Sequence, residues 1–62
     1  MQPEELKALR MNAGLSQAEL GELIGMSRVT VGLMERGEAR IEKRTELAVR
    51  YVVEVLFGEK DA

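Results

Sequence analysis

Apolar residues return every three or four positions in four separate runs, and the first three runs are bounded by residues that start and stop helices. Pro3 suits a first helical position, Glu4 and Glu5 set negative charge at the positive end of the helix dipole, and Leu6, Leu9 and Ala13 follow at helical spacing before Gly14. These predict a helix over 3–13. Ser16 and Glu19 have the spacing of a capping box, and Leu15 and Leu20 that of a hydrophobic staple across it. With Leu20, Leu23 and Ile24 as its buried stripe and Gly25 as its end, the second helix is predicted over 16–24. Met26 and Val31 repeat the staple around Ser27 as N-cap, which predicts a third helix over 27–36, ended by Gly37.

A short connection, Glu38 to Glu42, leads to a last helix predicted over 43–57 and stopped at Gly58, followed by a polar tail over 59–62. Its β-branched run, Val49, Val52, Val53 and Val55, would also suit a strand, but a lone strand is unstable and no partner strand is visible. At 100° per residue the polar strip is Glu46, Arg50 and Glu54 with Lys43. Ala48, Val52, Val55 and Leu56 occupy one side, and Val49, Val53 and Phe57 another. The second set has no evident use in so small a core. It is expected to form the interface of a homodimer, with Tyr51 at its rim.

Length and composition narrow the chemistry. A chain of 62 residues holds one domain and buries only about 60% of the surface of its unfolded form, so its stability is marginal. It has neither cysteine nor histidine, which removes disulfides, the usual zinc ligands and the usual general base. Glu19 and Glu22 stand one helical turn apart, but the first serves the cap and the second faces solvent on the same helix, so no catalytic pair results. No metal, cofactor or small-molecule ligand is expected. Without a signal-peptide pattern or an apolar run long enough to span a bilayer, the chain is expected to be cytoplasmic and to have no membrane partner. The formal charge is −2, yet Arg28, Arg36, Arg40, Lys43 and Arg44 against Glu35, Glu38 and Glu42 give Ser27–Arg44 a net +2, which leaves −4 elsewhere.

Two capped helices joined through Met26 alone have the spacing of a helix-turn-helix, in which the second helix enters the major groove. Gly21 can admit helix 3 against helix 2, Gly25 supplies the turn, and Val31 and Met34 anchor helix 3 in the core. Gln17, Gly21, Gly25, Val31 and Met34, followed by Glu35 and Gly37, resemble the helix-turn-helix domain of the phage Cro and repressor family. The resemblance runs from Leu6 to Gly37. It implies an all-α fold, a compact four-helix helix-turn-helix domain of the lambda-repressor-like type over 1–58 with a long C-terminal helix, the family's usual fifth helix having no counterpart here.

The resemblance also implies a function: a transcriptional regulator, a homodimeric repressor reading a near-palindromic double-stranded DNA operator. Carried onto this chain, the base-reading positions are Gln17, Arg28, Val29, Thr30 and Leu33, of which Arg28 is the one able to hold guanine O6 and N7 together. Val29 and Leu33 offer only apolar contact to thymine methyls. Ser16, Ser27, Arg36, Arg40 and Lys43 are the phosphate candidates, although Lys43 and Arg44 read equally as solvated charges. Arg10 and Glu35 are expected to pair and tie helix 1 to the end of helix 3. Gly32, mid-helix at a cost of about 1 kcal/mol relative to Ala, suggests close approach of DNA or another chain. The competing function is a helix-turn-helix reused for protein contacts, as an antirepressor or dimerisation module.

Overall fold

The computed structural model describes residues 1–57; the predicted stop at Gly58 and the tail over 59–62 lie outside them. Four α-helices follow in order, α1 (Pro3–Asn12), α2 (Gln17–Ile24), α3 (Arg28–Glu35) and α4 (Lys43–Tyr51), and α4 continues into a π-helical turn, Val52–Leu56. No strand occurs among the described residues.

Local chemistry accounts for the boundaries. Ser16 Oγ accepts from the Glu19 amide at 3.0 Å and the Ser16 amide donates to Glu19 Oε1 at 2.8 Å, a complete capping box on α2. Ser27 Oγ accepts from the Thr30 amide at 3.1 Å and caps α3. Gly25 ends α2 in the left-handed region, φ +76°, where a side chain would be strained, and there the chain turns into α3. At α4 the N-cap position is Glu42, whose side chain makes no capping bond, so tertiary packing fixes this start.

Leu6, Leu20, Val31, Met34, Val49, Val52 and Val53 form the core, one or more from each helix, with Leu9, Ala13, Leu15, Ile24, Met26, Ala39 and Ile41 packed around it. Three expectations are corrected here. Val49, fully buried, and Val53, 9% exposed, belong to the core of a single chain and are not available to a dimer interface. Conversely Val55 and Leu56, placed with Val52 by an ideal helix, are 61% and 54% exposed. The reason is the π-helical turn: its i→i+5 bonding rotates each residue by less than the 100° of an α-helix, so Leu56 lags out of the face that Val49 and Val52 bury. Leu23, assigned to the buried stripe of α2, is 45% exposed, because the core takes α2 through Leu20 and Gly21.

Candidate nucleic-acid interface

The unit formed by α2, its turn and α3 is locked from within. Val31 and Met34 are buried to within 1% and hold the inner face of α3. Gly21 is required, but by a different neighbour from the one its spacing suggests. A Cβ there would collide with the Met26 carbonyl oxygen and press on the backbone of Ser27, so Gly21 makes room for the turn rather than for the helix beyond it. The Met26 amide donates back to the Gly21 carbonyl at 2.7 Å, which holds that turn in place.

A second lock sits at the far end of α3. Arg10 grips Glu35 with two parallel bonds, Nε to Oε2 at 2.6 Å and Nη2 to Oε1 at 3.1 Å, and its Nη1 donates to the Leu15 carbonyl at 2.8 Å. Gln17 Nε2 donates to Glu35 Oε1 at 3.1 Å. The Glu35 side chain is only 3% exposed, and burial pushes its carboxyl up; the bonds from Arg10 and Gln17 outweigh burial and hold it below its ordinary value, so it stays ionised and paired. One carboxylate thus joins α1, the start of α2 and the end of α3. The bond from Gln17 was not predicted; the signal for it is the pairing of an amide at the first position of α2 with a carboxylate at the last of α3.

What remains outward is a short polar and apolar strip. Arg28 and Val29 are exposed at the first turn of α3, while Thr30 and Leu33 are half-buried. Thr30 Oγ1 lies 3.1 Å from Ser27 Oγ, so both hydroxyls partner each other beside the cap. Gly32 is buried beneath two side chains: a Cβ would stand 3.2 Å from Arg36 Nη1 and 3.4 Å from Gln17 Oε1. Its close neighbours are therefore intramolecular, which corrects the expectation that DNA or a second chain approaches it. Arg28 carries a full guanidinium fork with no ion pair among the described residues.

The phosphate candidates divide. Ser16 spends its amide and one lone pair on Glu19, whose carboxylate stands at the start of α2, leaving its hydroxyl hydrogen as donor. Arg36 pairs with Glu38 at 3.2 Å and Arg44 with Glu42 at 3.1 Å, both in the open, where such pairs are weak and readily exchanged. Arg40 and Lys43 are exposed and make no ion pair among the described residues. The other edge of α4 is turned toward α1: Arg50 donates to Glu5 at 2.8 Å and to Glu46 at 3.2 Å, which draws both carboxyls below their ordinary value. Tyr51 and Phe57, the two remaining dimer candidates, are 59% and 44% exposed. No group of side chains among the described residues suits a metal ion, and no described helix is long and apolar enough to cross a membrane.

A family model described as a helix-turn-helix domain matches residues 4–56. No curated protein and no solved structure matches the chain.

Proposed function

The chain belongs to the helix-turn-helix domain family, whose domains are DNA-binding regulators rather than enzymes, and we propose that it is a homodimeric repressor reading a near-palindromic operator. In this reading α3 lies in the major groove, Arg28 holds a guanine through O6 and N7, and Val29 and Leu33 pack on thymine methyls. Gln17 and Thr30 lie at the margin of the read bases, while Ser16, Ser27, Arg36 and Arg40 hold phosphates. Two copies place their α3 helices in successive major grooves about 34 Å apart.

The observation that carries the reading is the contrast between the two faces of α3. Its inner face is held by Val31, Met34 and the Arg10–Glu35–Gln17 clamp, and its outer first turn presents an arginine that has no ion pair among the described residues. A helix so fixed loses little freedom on docking, which favours base reading over loose attraction to phosphate. The apolar character of Val29 and Leu33 favours a second reading, in which this face meets another protein.

Selection of bound duplexes from random sequence, at two salt concentrations, separates these. DNA reading predicts a sequence consensus and a log–log salt slope of roughly −0.9 per phosphate held. Arg28→Ala is expected to weaken binding and relax one guanine position by about 1–3 kcal/mol. No salt-dependent binding to any duplex would leave the protein-contact reading.

A further inference from the structure

Helix α4 and its π-helical extension bury one side only. Opposite the buried Thr45, Val49, Val52 and Val53 stand Leu47, Tyr51, Val55 and Leu56, each more than half exposed, with Phe57 beyond them. Leu47, Tyr51 and Val55 are four residues apart and form one row, and the lag of the π-helical turn brings Leu56 beside it. Together these side chains amount to a patch of about 300–600 Å², the size of the largest on a typical monomer and often functional.

The two ends of this face differ in complementary ways. Near the start of α4 lies a groove of about 290 Å³, lined by Ile24, Met26, Arg44, Thr45 and Ala48. At the other end Leu56 projects as an apolar knob. Lys43 and Glu54, exposed and without ion pairs among the described residues, sit on one edge of the row three helical turns apart, with opposite charge.

We infer that this face binds a second copy of the chain, the two α4 helices running antiparallel about a two-fold axis at the level of Val49. Such an axis sets like edge against like edge and each end against the opposite end. Leu47 meets the partner's Tyr51, Lys43 meets the partner's Glu54, and Leu56 enters the partner's groove, each contact made twice. A parallel pair about a two-fold axis would set this edge against the partner's opposite edge at the same level, so that Lys43 and Glu54 do not meet and both grooves stay unfilled. Covering the face on both copies buries on the order of 1,000 Å², the lower bound of a specific interface. The inference names the surface for the homodimer proposed above, but it needs no DNA.

Sedimentation equilibrium of the full chain without DNA tests it. A monomer–dimer equilibrium is expected in the micromolar range. Tyr51→Glu, at a position open enough to leave the fold intact by circular dichroism, is expected to weaken it at least roughly tenfold by setting two carboxylates against apolar neighbours near the axis. Lys43→Glu and Glu54→Lys should each weaken it roughly threefold to fivefold, and the double exchange should restore it. A monomer at millimolar concentration, a dimer indifferent to Tyr51→Glu, or a double exchange no better than the single ones would overturn the proposal. A monomeric chain that still selects a half-site removes this interface and keeps the DNA reading; a dimer that binds no duplex does the reverse.

Discussion

Two glycines in helix interiors make opposite predictions for the same substitution. Replacing glycine by alanine within a helix is worth about 1 kcal/mol of backbone entropy and propensity, so both Gly21→Ala and Gly32→Ala begin with that gain. At Gly32 the added methyl meets the far ends of Arg36 and Gln17, and the Arg36 side chain is 58% exposed and can withdraw by the few tenths of an ångström required. The gain should survive, giving a protein more stable by about 0.5–1 kcal/mol, or several degrees in melting temperature for a domain of this size. At Gly21 the methyl meets the Met26 carbonyl, backbone that is pinned by the bond from the Met26 amide to the Gly21 carbonyl and by the left-handed cap at Gly25. Relief requires moving the turn, at an overpacking cost of about 1–3 kcal/mol and a strained hydrogen bond worth about 1 kcal/mol. The net loss of about 1–3 kcal/mol is large against the roughly 3–9 kcal/mol that a chain of this length holds in all. Urea denaturation followed by far-UV circular dichroism at low protein concentration reads both. Equal destabilisation by the two variants, or a neutral Gly21→Ala, would refute the distinction between a flexible and a fixed neighbour. Under the proposed function Gly32→Ala has a second consequence: by shifting Arg36 it should weaken DNA binding while it strengthens the fold.

The remaining expectations concern the caps, the buried carboxylate and the backbone contacts. Ser27→Ala should destabilise by about 0.5–2 kcal/mol, as the Thr30 amide loses its acceptor, and thermal melting checks it. Arg10→Ala strands a carboxylate whose side chain is 3% exposed and should cost on the order of 3 kcal/mol. Because Glu35 is held below its ordinary carboxyl value in the folded chain, its contribution is complete above that value and is lost as pH falls through the folded one. Glu35→Gln should therefore flatten part of the acid decline in denaturation midpoint, and an unchanged decline would remove Glu35 from it. Arg40→Ala should reduce the salt slope of DNA binding by about one contact while leaving the selected consensus as it was.

Helix boundaries and turns were legible in the residues because they depend on neighbours three or four positions away. Ser16 with Glu19, Ser27 with Thr30, and Gly25 in the left-handed region each settle a helix end through bonds that need nothing from the rest of the chain. The outward position of Arg28 follows in the same way, from a helix that begins at Ser27 and buries Val31 and Met34. The clamp is different. Arg10 and Glu35 are twenty-five residues apart, and it was the family resemblance, not local spacing, that pointed to their pairing; Gln17 joins them only because α2 crosses α3 where it does.

The sequence by itself determined four helical segments, the caps of α2 and α3 and the one tight turn between them, since hydrogen bonds at helix ends are local and directional. The tertiary structure alone decided which side of α4 is core. Hydrophobic burial has no direction and no fixed partner, so a helix with valines and leucines around most of its circumference has several acceptable faces. Packing against α1, α2 and α3 selected Val49, Val52 and Val53, and the widened turn after Tyr51 left Val55 and Leu56 outside with Leu47. Gly21 and Gly32 carried the same ambiguity: a glycine inside a helix is visible in the sequence, but whether its neighbour is fixed backbone or a side chain that can withdraw depends on what the fold brings there.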